Sequence, residues 1–245
     1  MKLMGVDVGF SKTGETSGIA CLDGEKLYLS RAGTRWESRK ARIPDGFRAN
    51  VIAIDGPLLP RDAAKLVRRR CEFVFIRAPF SSRCKPGLSH WGFGLELRRA
   101  AADACAQFSQ MLDVSISSNG QIVEAFPNAF LAVLLPHEVF LSAPRMRRGH
   151  RFDWLYERVV GDEILLSALS KSLNLSALVW HRLRAEADHE LRAALVCLLT
   201  AAFAAAGSAS RVGDAEGGWF WLPPWSLWQE WAREGLRAAE KCVPR

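Results

Sequence analysis

Residues 51–60, with the sequence VIAIDGPLLP, carry four consecutive apolar residues that run directly into Asp55, and Gly56 and Pro57 follow at once. A strand in which every residue is apolar has both faces buried, which is typical of parallel sheets covered by helices. The segment therefore predicts a buried strand of an α/β fold that ends on a carboxylate. An acid at that place is unusual, because desolvating an ionised carboxylate is costly unless a cation or hydrogen-bond donors compensate.

Upstream of this strand, three short apolar segments are separated by turn-rich stretches. They cover residues 3–8, 18–22 and 26–31, and the turns between them are GFSKTGETSG and DGE. Clusters of Gly, Asp and Ser between strand-like runs are typical of hairpins. These segments predict a three-stranded antiparallel meander, and the polar residues 34–48 that follow it predict a short helix.

Downstream, helical and strand-like segments alternate. Residues 95–112 have the composition and apolar period of a helix, and residues 121–126 predict a fifth strand. Residues 188–207 form the clearest helix pattern, with Asp188 as N-cap and Gly207 at the end. A meander followed by alternating helices and strands predicts one mixed sheet, antiparallel at one side and parallel beyond it, with helices on both faces.

Two further segments are predicted to be additions to a single domain that spans residues 1–245. The region of about residues 142–187 begins with a basic loop and continues with an apolar-periodic stretch that predicts two helices, a helical insertion. Residues 216–245 are a Trp-rich C-terminal segment. A stripe at helical spacing, predicted to pack this tail onto the domain, is formed by Trp225, Trp228 and Trp231.

The charge balance favours an anionic partner. Lys and Arg total 33 against 26 Asp and Glu, a formal net charge of +7, which favours nucleic acid, phosphate or a membrane surface. The apolar run LRAALVCLLTAAFAAAG begins among charges and is shorter than a bilayer span, so no membrane segment is expected. The six cysteines form no CxxC pair, and the first residues predict a strand rather than a signal peptide. We therefore expect a cytoplasmic protein with reduced thiols.

Acidic residues recur within these apolar elements. Asp7 lies in the first predicted strand, Asp55 ends the fourth, Glu124 lies in the fifth, and Asp188 and Glu190 open the last strong helix. Each has a structural explanation of its own, as an acceptor for turn amides, a turn residue, or a residue favoured at a helix N-terminus. Together they favour a shared compensating cation, and oxygen ligands are those preferred by a hard divalent ion such as Mg²⁺ or Mn²⁺.

Five segments carry a resemblance to a known family: MGVDVG, AIDGPLLPR, RRCEFVFIRAPFSSRCKPGLSH, IVEAFPNAFL and EADHELRAALVCLLTAAFA. They resemble the predicted nucleases numbered 429 among domains of unknown function, over residues 3 to about 223. The most specific pieces are IDGPLLP, VEAFP and the Asp-His pair before the Ala-rich helix, and EGGWFWLPP fits the usual ending of the family. The resemblance implies a ribonuclease H-like fold, which the family shares with Holliday-junction resolvases and transposases.

The resemblance also implies a metal site. In enzymes of that fold, an acid on the first strand, one on the fourth and one on the last helix converge on Mg²⁺. These positions correspond to Asp7, to Asp55 and to either Asp188 or Glu190, with Glu124 added as the acid of the Glu-x-x-Pro motif. Asp7 is expected to bridge two metal ions about 4 Å apart, as two-metal phosphodiester hydrolysis requires.

Two residues that follow Asp188 bear on this implied site. His189 is a candidate proton shuttle, because the pKa of histidine lies close to neutrality, or else a helix-start residue that bonds a neighbour. Arg192 stands where family members often carry a second acid. Its guanidinium is expected to face the metal site or to pair with Asp188, which would weaken a second metal position.

Basic segments are candidate contacts for a phosphate backbone. Such contacts would give sequence-independent, salt-sensitive affinity for DNA or RNA, and a solvated charged face is the alternative explanation for any one of them. The candidates are Arg61, Arg68, Arg69, Arg70, Arg83 and Lys85, and separately Arg145, Arg147, Arg148 and Arg151.

The expected function is metal-dependent hydrolysis of phosphodiester bonds, and two other functions stay open. VDVGFSKTG also resembles the first phosphate loop of the actin-like and sugar-kinase group, and IDG loosely resembles the second. A phosphotransferase or ATPase is therefore an alternative, although 245 residues are few for two such domains and no later Gly-rich adenosine motif follows. Arg192 favours the third possibility, a non-catalytic nucleic-acid-binding protein that has kept the fold.

Overall fold

The computed structural model describes residues 1–9, 11, 13–59, 69–84, 87–113, 121–144 and 150–241. Within them the chain forms an α/β structure built on one seven-stranded mixed sheet. The strands are β1 (Lys2–Asp7), β2 (Ser17–Asp23), β3 (Lys26–Ala32), β4 (Val51–Asp55), β5 (Gln121–Ala125), β6 (Ser210–Asp214) and β7 (Gly218–Leu222). They lie side by side in the order β3-β2-β1-β4-β5-β7-β6.

Antiparallel and parallel pairings divide this sheet. The strands β1, β2 and β3 form the antiparallel meander that the sequence predicts. The strands β4 and β5 run parallel to β1, β7 runs parallel to β5, and β6 is the antiparallel partner of β7. The carboxyl ends of β1, β4, β5 and β7 therefore lie at the same end of the sheet, where α/β folds usually place their ligands.

Eleven helices accompany the sheet in the described residues. They are α1 (Trp36–Lys40), α2 (Arg70–Phe75), α3 (Phe80–Cys84), α4 (Phe93–Phe108), α5 (Pro127–Ala132), α6 (His137–Leu141), α7 (His150–Gly161), α8 (Glu163–Ser172), α9 (Ala177–Ala185), α10 (His189–Ala205) and α11 (Glu230–Lys241). Short 3₁₀ turns occupy Ser109–Met111 and Trp225–Leu227. Across the described ranges, none of these helices combines the length and the apolar character needed to cross a bilayer.

Helices cover both faces of the sheet. On one face α10 packs across β1, β2 and β4. On the other face α4 contributes Ala104 and Phe108 to a buried cluster with Val6, Ile19 and Ile54. The strands β1 and β4 are thus buried on both sides, which is why their residues are almost all apolar.

Two glycines let α10 approach the sheet closely. A Cβ atom added at Gly5 would overlap the backbone carbonyl of Ala194, and one added at Gly18 would overlap the carbonyl of Glu190. Only glycine leaves room for a helix backbone at that height. The close packing positions the first turn of α10 beside the carboxyl end of β1.

Gly5→Ala is therefore expected to lower the free energy of unfolding by about 1–3 kcal/mol or more, because α10 must move away from β1 to accept the methyl group. Urea denaturation followed by circular dichroism measures the change. Gly161→Ala is the matched control, since an added Cβ there meets open space at the end of α7 and alanine is favoured over glycine in helices. Equal destabilisation by the two substitutions would contradict the close packing of α10.

The structure differs from the sequence predictions at β6 and in the inserted helices. Only Val212 is buried in β6, so this segment has no apolar pattern and is a strand because it pairs with β7. The stretch that ends near residue 183 contains three helices, α7, α8 and α9, so the prediction of two was wrong. The third arises because Asp162 caps a new helix directly after Gly161, accepting from the N–H of Ile164 at 2.9 Å.

The predicted packing of the Trp-rich segment is confirmed for Trp228 and Trp231. Trp228 is buried, and its indole N–H donates to the carbonyl oxygen of Pro223 at 2.9 Å. Trp231 packs against two phenylalanine rings. Trp225 is 37% exposed, and α11 begins only at Glu230. The three tryptophans therefore do not form one helical stripe.

Candidate carboxylate site

Asp7 and Asp55 occupy matching positions at the carboxyl ends of neighbouring parallel strands. In the register of β1 and β4, Asp7 lies beside Asp55 and Gly5 lies beside Ala53. Side chains at positions two apart on a strand project to the same face, so both carboxylates lie on the face that Gly5 turns towards α10. Both residues are partly exposed. The structure thus brings together the two strand-end acids that the sequence predicts.

The start of α10 adds two more acids at this end of the sheet. Asp188 is the N-cap, and its carboxylate accepts from the backbone N–H of Leu191 at 3.1 Å. Glu190 follows in the first turn, and its carbonyl packs against Gly18, which is the β2 neighbour of Asp7. The glycine contacts of α10 therefore bring both acids within electrostatic range of Asp7.

Burial and like charges favour the protonated form of Asp7. Burial raises the pKa of Asp7 well above its usual value. The surrounding carboxylates raise this pKa further, in the order Asp55, Glu190 and Asp188, and the guanidinium of Arg39 opposes them. Both desolvation and repulsion penalise the ionised carboxylate. A cation that entered the site would relieve both.

Asp55→Asn is expected to stabilise the metal-free protein above neutral pH. Burial, and then the charge of Glu124, raises the pKa of Asp55 from 3.8 to about 7. A carboxyl group with a raised folded-state pKa contributes stability that is fully present below about pH 4 and is lost as the pH rises through 7. Since one pKa unit corresponds to about 1.4 kcal/mol, the gain in the variant is on the order of a few kcal/mol at pH 8 and near zero at pH 4.

Urea denaturation in EDTA at a series of pH values checks this difference. Asp23→Asn is the control, because the Asp23 carboxylate is 43% exposed and pairs with Lys2 at the surface. Its stability should follow that of the wild type across the range. If the pH profiles of Asp55→Asn and the wild type run parallel, Asp55 is not desolvated in the folded protein.

Arg31 on β3 pairs with both acids of α10. Its Nη1 lies 3.1 Å from Oδ2 of Asp188, and its Nη2 lies 3.6 Å from Oε1 of Glu190. Its Nε donates to the carbonyl oxygen of Glu15 at 2.7 Å. The Arg31 side chain is 39% exposed, and ion pairs with that much solvent contact are weak. Asp188 and Glu190 are therefore paired with Arg31, and another ion can displace these weak pairs.

The donor set suits a hard divalent cation, because it consists of carboxylate oxygens. The thiol of Cys197 lies close by, but burial, followed by the charges of Asp55 and Asp7, raises its pKa well above the usual value, and a protonated thiol is a poor ligand. Among the described residues, no three His, Cys, Asp or Glu side chains are grouped as a ready metal site. The ion pairs of Arg31 occupy two of the four carboxylates.

Glu124 lies on the opposite face of the sheet from this pair. The register places Glu124 beside Ile54, one position before Asp55, and successive positions of a strand face opposite sides. Arg69 donates to both carboxylate oxygens of Glu124, at 2.8 and 2.6 Å. The structure therefore does not bring Glu124 into the Asp7–Asp55 face, although Glu124 and Asp55 line one cavity at the strand ends and the charge of Glu124 raises the pKa of Asp55.

His189 and Arg192 turn towards the inserted helix α7. The Nδ1 atom of His189 lies 2.8 Å from Oδ2 of Asp153. Arg192 lies 3.2 Å from the other oxygen of Asp153 and 3.3 Å from Glu157, and its Nε donates to the carbonyl of Glu186. The prediction that the Arg192 guanidinium faces the metal site or pairs with Asp188 is wrong. The bonds of His189 support a helix-start role and do not aim it at Asp7.

The carboxylate site is defined by the register of β1 and β4 and by the burial and charge of its acids. No family model, curated protein or solved structure matches the chain. The roles of Asp7 and Asp55 therefore depend on the geometry of this chain alone.

Two of the arginines predicted to contact phosphate are buried and bound to other residues of the protein. Arg69 is 1% exposed and bound to Glu124. Arg83 is 7% exposed, its Nη2 lies 2.6 Å from Nδ1 of His137, and its guanidinium stacks on a tryptophan ring at 3.9 Å. Arg70 begins α2 and is partly exposed, and Arg151 is partly exposed on α7. The other candidates lie outside the described residues: Arg61, Arg68, Lys85, Arg145, Arg147 and Arg148.

Proposed function

We propose that this protein is a divalent-metal-dependent nuclease of ribonuclease H-like fold, related to the predicted nucleases numbered 429 among domains of unknown function, which hydrolyses phosphodiester bonds of DNA or RNA. The observation that carries the proposal is the in-register pair Asp7 and Asp55 at the carboxyl ends of adjacent parallel strands, with Asp188 and Glu190 adding charge beside it. Four acids at one end of a sheet are costly unless a cation joins them. The antiparallel meander followed by parallel strands supports the proposed fold.

In the proposed site, Asp7 and Asp55 would hold Mg²⁺ or Mn²⁺, and Asp188 or Glu190 would complete the ligand set after leaving Arg31. A bound divalent ion supplies a lowered pKa for an attacking water and stabilisation of charge on the leaving oxygen. Asp7 and Asp55 must lose their protons to act as ligands. Metal affinity should therefore rise with pH, and binding should release protons.

Binding of a substrate phosphate to Arg31 would free the remaining ligands of the metal site. A guanidinium forms paired hydrogen bonds with phosphate oxygens that are stronger than those of a neutral donor. A substrate phosphate that draws Arg31 away would free Asp188 and Glu190, both of which it holds in the ion pairs described above. The same residue would then position the phosphate and release the remaining ligands.

Arg31→Gln is expected to raise the affinity for Mn²⁺ by about two- to fivefold, the value of breaking exposed ion pairs. Isothermal titration calorimetry at constant pH measures the affinity. Arg42→Gln is the matched control, because the Arg42 side chain is also well exposed, at 48% against 39% for Arg31, and pairs only with Glu15 among the described residues. Unchanged or weaker Mn²⁺ binding in Arg31→Gln would contradict competition between Arg31 and the metal.

A cleavage panel tests the proposed function directly. Single- and double-stranded DNA and RNA are incubated with purified protein in Mg²⁺, in Mn²⁺ and in EDTA, and the products are resolved on denaturing gels. We expect metal-dependent cleavage of at least one substrate. The proposal fails if no substrate is cut in either metal, or if cutting persists in EDTA. Thermal stabilisation by ATP without any cleavage would instead favour a phosphotransferase.

A further inference from the structure

A largely apolar cavity with a few polar groups lies at the carboxyl ends of β4 and β5, and Asp55 of the carboxylate pair is one of its lining residues. Its volume is about 80 Å³, and its walls include Glu72, Ser89, Glu124, Phe126 and Phe220. A space of this size holds several waters or one small organic group.

The described charges around this cavity leave an excess of negative charge. Arg69 is the cation, and it donates to Glu124 through two bonds, to Oε1 of Glu72 at 3.4 Å and to the carbonyl of Gly217. Each of its three nitrogens therefore has a partner. Arg69 and the two glutamates are all less than 5% exposed. One guanidinium balances only one of these two buried carboxylates, and Asp55 adds a third acidic residue to the cavity wall.

Two polar atoms of the cavity wall have no hydrogen-bond partner in the described structure. They are Oε2 of Glu72 and Oγ of Ser89, and each residue is 2% exposed. Nδ1 of His90 lies 3.7 Å from Oε2 of Glu72, which is beyond hydrogen-bond distance. Buried polar atoms are nearly always satisfied, because leaving one unpaired costs about 1–3 kcal/mol. The carboxylate oxygen calls for a donor, and the hydroxyl can accept from the same donor group or donate to another partner.

We propose that this cavity binds a small organic cation with N–H donors, such as a guanidinium or primary ammonium group. The cation would balance the second carboxylate, donate to Oε2 of Glu72 and to Oγ of Ser89, and contact the ring of Phe126 through its charge. An anion would meet two carboxylates, and an apolar group would leave both polar atoms unpaired. The cavity shares Asp55 with the proposed metal site, so binding is tested in EDTA, where neither metal nor nucleic acid takes part and the outcome does not depend on the proposed nuclease activity.

An NMR titration of the ¹⁵N-labelled full chain tests this site. Methylguanidinium chloride is the probe, and tetramethylammonium chloride, which has the same charge and no N–H donor, is the matched ligand at equal ionic strength. We expect saturable shifts of the amides of Ser89 and of Gly94, which also lines the cavity, with methylguanidinium alone. Ser89→Ala should weaken binding about two- to tenfold, and Glu72→Gln by more than about tenfold. Ser142→Ala, at an exposed site on the far end of α6, should have no effect.

The proposal is overturned if methylguanidinium causes no saturable shift, which would leave a cavity that holds only water. It is also overturned if tetramethylammonium binds equally well, or if Ser89→Ala binds as tightly as the wild type. Glu72→Gln loses part of the contact with Arg69 and so carries a risk of misfolding. Ser89→Ala decides the question in that case, because Oγ of Ser89 has no hydrogen-bond partner among the described residues and its removal leaves the fold intact.

Discussion

Replacing Arg69 with methionine is expected to lower the free energy of unfolding by about 3–5 kcal/mol, the cost of breaking a buried ion pair by removing one partner. Arg69 is 1% exposed and binds Glu124 through both carboxylate oxygens. It also lies 3.4 Å from Glu72. Without the guanidinium, two carboxylates that are each less than 5% exposed lose the cation they share. One or both must take up a proton or the region must open.

Urea denaturation at pH 7.5 measures the loss, and Arg42→Met is the matched control. Arg42 also forms an ion pair, with Glu15 at 2.8 Å, but both side chains are 48% exposed, so its removal should cost less than about 1 kcal/mol. Adding Glu124→Leu to Arg69→Met should restore part of the stability, since it removes one of the two buried carboxylates that have lost their cation. If Arg69→Met is as stable as Arg42→Met, the charges around Arg69 are not desolvated.

The acid pair could be predicted because strand ends are marked in the sequence. The apolar run before Asp55 shows where β4 ends, and parallel strands align their carboxyl ends. Arg31 could have been found in the same way. Counting back through the two antiparallel registers places Arg31 beside Gly18 and Gly18 beside Asp7. The lengths of the two hairpins therefore suffice to place Arg31 two strands away from Asp7.

The face on which Glu124 lies could not be predicted, because it depends on a single step of register. Had Glu124 paired with Asp55 instead of Ile54, its side chain would share the face of the acid pair. The buried ion pair of Arg69 could not be predicted for a similar reason. It stands in a basic run, while the partner that buries it is 55 residues away in the chain. Charge patterns show which residues are ionic but not which of them find a buried partner.

Asp7→Asn is expected to abolish metal-dependent cleavage, with a loss of at least about 1000-fold in rate, because the metal contributes several kcal/mol of charge stabilisation in the transition state. Asn keeps the size of the side chain and removes the charge. The substitution also relieves the repulsion from Asp55, Glu190 and Asp188 that raises the pKa of Asp7. The metal-free variant should therefore be at least as stable as the wild type while its activity is lost.

Opposite changes in activity and stability separate a ligand from a residue that merely holds the fold. Initial rates in Mn²⁺, Mn²⁺ affinity by calorimetry and urea denaturation in EDTA are measured on the same preparations, with Asp23→Asn at the other end of the sheet as control. A structural acid would lose stability and activity together when it is replaced. If Asp7→Asn cleaves within about tenfold of the wild type, or binds Mn²⁺ equally well, Asp7 does not hold the metal. The carboxylate cluster would then need another cation, and two candidates among the described residues are Arg31, which pairs with Asp188, and Arg39, whose charge lowers the pKa of Asp7.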